Sequence, residues 1–95
     1  MDIEVIRSEK NFMEFYIVGE THTFCNVLRS ALEEDPAVKK AAYTVEHPLT
    51  HRFKPRFEVG TDGRVKPSTV LKRASQRIVE RCEELREEFE RELGR

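Results

Sequence analysis

The sequence predicts an α+β fold: a four-stranded, mainly antiparallel sheet with two helices against it, the C-terminal one long. Three observations carry this. Four segments alternate apolar and polar residues at the period of a strand, two segments repeat apolar residues at the period of a helix, and short polar or glycine- and proline-marked stretches separate them.

The first strand is Ile3 to Arg7, with Ile3 and Val5 on one side. Ser8 to Asn11 turns the chain into a second strand, Phe12 to Val18, and so short a connection predicts a hairpin. Met13, Phe15 and Ile17 line one face of the second strand. Phe12, Tyr16 and Val18 line the other, which predicts partial cover on both sides. Gly19 ends it, and Thr21 or Thr23 can cap a helix running to about Glu34 by accepting from its unpaired backbone N–H groups. Phe24, Val27, Leu28, Ala31 and Leu32 form that helix's apolar face. Pro36 stops it, since proline disfavours helical geometry in the residue before it. Glu33, Glu34 and Asp35 then stand at the negative end of the helix dipole, an arrangement eased if a cation from elsewhere meets them.

Ala41 to Glu46 is a third strand, and His47-Pro48 a turn. In the fourth strand Phe53, Phe57 and Val59 alternate with charged residues. Pro55 lacks a ladder donor and predicts either an edge strand or a start after it. Thr61-Asp62-Gly63 reads as a turn. From Pro67, a favoured first helical residue, to about Leu93 nothing breaks a helix. Its apolar residues, Leu71, Ala74, Ile78, Cys82, Leu85, Phe89 and Leu93, recur every three or four positions, the period of a straight helix. Such a helix is ~40 Å long, whereas a compact chain of this length has a radius of gyration of ~12 Å and is ~30 Å across. Leu85, Phe89 and Leu93 therefore overhang, and an apolar stripe in water calls for a partner.

Composition narrows the function. With 95 residues, 38% hydrophobic and 37% charged, the chain has room for one domain, residues 1–95. A net charge of −1 gives no general attraction to nucleic acid or anionic lipid. Arg52, Lys54, Arg56, Arg64, Lys66, Lys72 and Arg73 make a basic middle, and seven glutamates from Glu80 to Glu92 make the last helix acidic. Both read as solvated faces. A nucleic-acid surface in the basic middle would show steeply salt-dependent DNA affinity. No segment approaches the ~20 apolar residues of a membrane span, and two distant cysteines, Cys25 and Cys82, form no metal or redox pair. The expected location is a reducing cytoplasm.

Candidate chemistry is thin. Cys25 near His22 and Asn26 has the residue types of a thiol nucleophile and base, but no glycine-rich loop or cleft accompanies them, and a buried packing cysteine is the simpler reading. His22, Cys25, His47 and His51 complete no recognised metal-ligand spacing. No catalytic, cofactor-binding or metal residue is assigned. Asn26 and Arg29, one turn apart, suit polar contacts to a partner, the guanidinium fitting a carboxylate.

One stretch is more specific. His22-Thr23-Phe24-Cys25-Asn26-Val27-Leu28-Arg29, then Asp35-Pro36, Ala41-Ala42-Tyr43 and His47-Pro48-Leu49, resembles the subunit L family of archaeal DNA-directed RNA polymerase. It is also similar to the dimerisation part of the bacterial polymerase alpha subunit. The resemblance spans nearly the whole chain. It implies a non-catalytic assembly subunit that pairs with the larger alpha-like RNA polymerase subunit, designated D, and so nucleates the polymerase core, with no direct DNA contact. It also assigns Phe24, Leu28, Leu32, Ile78, Cys82, Leu85 and Phe89 to the partner interface or the core beside it. Phe24 stands where the family's pattern has leucine, and the stretch His51 to Pro55 is longer and more basic than the pattern. The competing reading is a free-standing homodimeric binding module or a small thiol enzyme using Cys25.

Overall fold

The computed structural model describes residues 1–45 and 54–94. The elements run β1 (Asp2–Ser8), β2 (Phe12–Val18), α1 (His22–Glu33), β3 (Val38–Val45), β4 (Pro55–Thr61) and α2 (Pro67–Glu92). The strands form one sheet in the order β1-β2-β4-β3, with every neighbouring pair antiparallel. The predicted fold class is the observed one. The expected His47-Pro48 turn, Phe53 and the basic residues at 51 and 52 lie outside the described residues.

The edge position suggested by Pro55 does not hold, because β4 lies between β2 and β3. Pro55 is the first residue of β4, opposite Val45, and pairing with β2 starts only at Arg56. Its missing N–H therefore falls at the end of a ladder, where an inner strand tolerates proline.

Strand alternation decides the faces. Phe15 of β2, Phe57 of β4 and Tyr43 of β3 are in register and point to one side, with ring centroids 5.5 and 5.3 Å apart. Ile17 and Val59 join them, and both helices cover this side. Cys25, Leu28, Ala31 and Leu32 from α1 and Val70 and Ala74 from α2 complete the core. The opposite face is polar. Arg56 pairs with both Glu14 and Glu58, and Lys40 pairs with Glu58, whose carboxyl is held below its ordinary range chiefly by that lysine's hydrogen bond. Phe12 and Tyr16 lie on this face as expected. What covers them is two cations: the Arg7 guanidinium of β1, 4.6 Å from the Phe12 ring, and the ammonium of Lys54, just ahead of β4, 4.4 Å from the Tyr16 ring. Lys54 and Arg56, part of the basic middle, thus meet carboxylates or rings of the sheet's strands.

The helix boundaries follow local chemistry. Thr21 caps α1, its side chain accepting from the Phe24 N–H at 3.3 Å. Gly19, at φ +93°, takes the left-handed turn out of β2 that other residues resist. At the far end of α1 the acidic run meets cations, as its charge requires. Asp35, nearly wholly buried, accepts from the Ala37 N–H at 3.1 Å and from Arg73 at 3.3 Å, with Arg77 at 3.6 Å. Arg77 also donates to the Ala31 carbonyl, and Arg81 pairs with Glu34. Burial pushes the Asp35 carboxyl up, but those hydrogen bonds and charges outweigh it and leave it below its ordinary value. Three arginines spaced four apart on α2 thus lock the end of α1 onto it.

Only the first part of α2 sits on the sheet. Pro67, Val70 and Ala74 are buried and Leu71 and Ile78 half-buried, while Leu85, Phe89 and Leu93 are 58%, 56% and 69% exposed. The radius of gyration is 15.3 Å and the longest extent 47 Å, beyond the compact expectation, because the helix runs past the body.

Candidate partner interface

Apolar surface left open by this packing forms a continuous strip. A hollow of about 330 Å³ lies between β1, β2 and the two helices; Ile3, Met13, Phe24, Leu28, Leu71 and Ile78 are among its walls. A second hollow, between α1 and α2, is lined by Val27, Ala31, Ile78, Arg81, Cys82 and Leu85. A third follows the overhang along Leu85, Glu88, Phe89 and Glu92. Ile78 borders the first two and Leu85 the last two, so the three join. At the other end, β1 places Ile3 opposite Ile17 and Val5 opposite Phe15, on the helix side of the sheet, yet no helix reaches them and both stay more than half exposed. Contiguous apolar area of this kind marks an interaction surface.

The residues singled out from sequence divide by depth. Cys82, Leu85 and Phe89 are exposed on the strip, and Phe24 and Ile78 are half-buried walls of it. Leu28 is almost closed off and floors the first hollow. Leu32 is wholly inside the chain's own core and supports the surface from beneath without reaching it. Sequence reasoning missed the contribution of β1. The alternation of Ile3 and Val5 was visible, but only the sheet order shows that their strand lies beyond helical cover. It also missed Val79, which faces solvent beside the strip.

Beside the strip, on the β3 side of α1, lies a polar cluster. Arg29 donates to Asn26 Oδ1 at 2.8 Å and lies 5.7 Å from the Tyr43 ring centre, and His22 Nδ1 is 3.0 Å from the Tyr43 hydroxyl. These side chains form an ordered, largely exposed polar surface. Cys25, in contrast, is fully buried, and burial, aided by Glu20, pushes its thiol up. A thiol without exposure or an activating cation is no nucleophile, and the thiol-enzyme reading loses its central residue. Among the described residues no three histidine, cysteine or acidic side chains gather as a metal site; His47 and His51 lie outside them.

Comparison with known proteins gives this surface a context. Residues 13–88 match the family model of the RNA polymerase Rpb3/Rpb11 dimerisation domain. The chain is 50% identical over 91 residues to the DNA-directed RNA polymerase subunit Rpo11 of Pyrococcus furiosus, covering 96% of each. It is 43% identical over 84 residues to that of Methanothermobacter thermautotrophicus, covering 88% of this chain and 93% of the relative. Among solved structures it superposes on subunit L of the RNA polymerase of Thermoplasma acidophilum with a TM-score of 0.85 and 26% identity, covering 99% of this chain and 90% of that one. With the family model matching from β2 through most of α2, and a relative matching 96% of the chain, the chain belongs to the RNA polymerase Rpb3/Rpb11 dimerisation-domain family.

Proposed function

We propose that this protein is a non-catalytic assembly subunit of a multisubunit DNA-directed RNA polymerase, pairing with the larger alpha-like subunit, designated D, to nucleate the polymerase core in the cytoplasm. The observation that carries this reading is the strip running from the β1 hollow to the tip of α2, on a helix longer than the body it belongs to. Phe24, Ile78, Cys82, Leu85 and Phe89 make contact, with Val27 and the rim of β1 beside them, and Leu28 and Leu32 hold that surface up from the core. Apolar area leaving water at ~25 cal/mol per Å² drives association, and the charged flanks of α2 set register and discriminate partners. Asn26 and Arg29 offer a separate polar contact to the assembled enzyme. Lys54 and Arg56, two residues of the basic middle, are engaged with rings and carboxylates of the chain itself, which weighs against direct DNA binding.

The test is a tagged pull-down from an archaeal lysate at moderate salt, with bound chains identified by mass spectrometry. A larger alpha-like subunit recovered at one-to-one stoichiometry, with other polymerase chains following, is the expected result. Recovery of the bait alone, from a lysate in which polymerase is detected, refutes the reading.

A further inference from the structure

The strip has a property that a single partner does not explain: it is complementary to itself. The first half of α2 carries Lys72, Arg73 and Arg77 and no acid, with Lys66 just ahead of it, and Asp35 of the α1 end offsets only one of these charges. Between Glu80 and Glu92, in contrast, seven glutamates face only Arg81, Arg86 and Arg91. Arg86 is bridged to Glu83 and Glu90, and Arg91 to Glu88, so the distal half keeps an excess of carboxylate. The helix is therefore positive where it meets the sheet and negative where it overhangs. Cys82, exposed, stands midway between Leu71 and Leu93, the two ends of the apolar series.

An isologous pair formed about that midpoint runs the two helices antiparallel. It sets each acidic half against the other's basic half, and brings each overhanging Phe89 and Leu93 toward the other's first hollow. Lys72 and Glu90 are eighteen residues apart, which is about five full turns, so they share one flank of the helix. Like flanks face each other in antiparallel pairs, and the two residues lie at similar distances on either side of Cys82. With the axis at Cys82, Lys72 falls level with position 92 of the other copy, two residues or about 3 Å along the same flank from Glu90. A lysine side chain reaches that carboxylate, which it then shares with Arg86. Among the described residues Lys72 has no ion-pair partner within its own chain.

We infer that, before it meets its larger partner, this chain shields the strip by pairing with a second copy of itself, antiparallel along α2 with the two Cys82 residues near the symmetry axis. The inference rests on the assignment of the strip to heterodimer formation. It adds that assembly begins by exchange out of a homodimer, so that free chain is withheld from other apolar surfaces.

Sedimentation of the purified full-length chain over a concentration series tests this. A reversible dimer is expected, weakening as salt rises from ~0.1 to ~1 M and the screening length falls from ~10 to ~3 Å. Lys72→Glu and Glu90→Lys should each weaken it about tenfold, since symmetry counts every pair twice, and the double variant should restore it. A short bis-maleimide should link the dimer through Cys82, the link disappearing in Cys82→Ser and on addition of excess larger subunit. A chain that stays monomeric overturns the inference, as does a dimer indifferent to both single reversals or one that is not rescued by the double. Capture of the larger subunit is scored separately: a monomer that still binds it one-to-one removes the homodimer and leaves the assembly function standing. A homodimer that never yields to it removes the assembly function instead.

Discussion

Truncating Phe89 to alanine should break the heterodimer without touching the fold. The side chain is 56% exposed on the overhang. Taking ~200 Å² for a phenylalanine, about 110 Å² remains for a partner to cover. At ~25 cal/mol per Å² this is worth about 3 kcal/mol, or roughly a hundredfold in affinity. Within the chain the same substitution removes no buried contact and exchanges an aromatic for a better helix former, a change of about 0.5 kcal/mol in favour of the helix. Isothermal titration of the larger alpha-like subunit into wild-type and Phe89→Ala protein measures the first quantity, and thermal melting of each chain alone measures the second. An affinity within about threefold of wild type, with both chains folded, would refute the assignment of the overhang to the interface. A melting temperature that fell along with the affinity would refute the claim that the distal helix is structurally idle in the free chain.

Phe57→Ala should do the reverse. The ring is fully buried and stacked between Phe15 and Tyr43, so about 3–5 kcal/mol of stability should be lost in a urea titration, a large share of what a small domain has. Asp35→Asn keeps an acceptor for the Ala37 N–H but removes the charge facing Arg73 and Arg77. The expected cost is about 1–2 kcal/mol, the low end for a charged hydrogen bond because both guanidinium groups are partly exposed. Since the folded carboxyl lies below its ordinary value of about 3.8, its contribution is complete above that pH and is lost as pH falls through the folded value; the melting difference between wild type and variant should be full at neutral pH and vanish in strong acid. In the folded chain, diluted to monomer, a maleimide should modify Cys82 rapidly and Cys25 only on unfolding; two fast thiols would overturn the buried assignment.

The fold was legible from sequence wherever one face of an element is buried and the other wet. β2 was bounded to the residue, α1 and α2 to within one residue of either end, and the acidic end of α1 foretold the cations that meet it. Of the two readings of Pro55, the edge strand failed and the strand-start reading came within one residue. A missing donor restricts where in a strand proline can sit, not which strand it occupies, and sheet order arises from pairings distant in sequence. The overhang could be argued from length alone, since a helix obeys a fixed rise whereas a body obeys a volume. Depth was harder. Leu32 and Leu85 are both leucines on apolar stripes, yet one is sealed and the other open, and that follows only from where the two helices cross. For the same reason Ile3 and Val5, an ordinary strand pattern, became surface only once β1 proved to be the strand outside helical cover.

The column of Arg73, Arg77 and Arg81 gripping the end of α1 acts as the root of a cantilever. From Arg81 to Leu93 the helix projects about 18 Å, so a tilt of about 10° at the root displaces the tip by about 3 Å, enough to lift Phe89 out of register with any complementary surface. Aim is thus set at one end of the molecule and read out at the other. A substitution at Asp35, buried and far from the tip, can slow docking while leaving the docking residues intact. Variants in this column belong among assembly mutants even though they touch no partner.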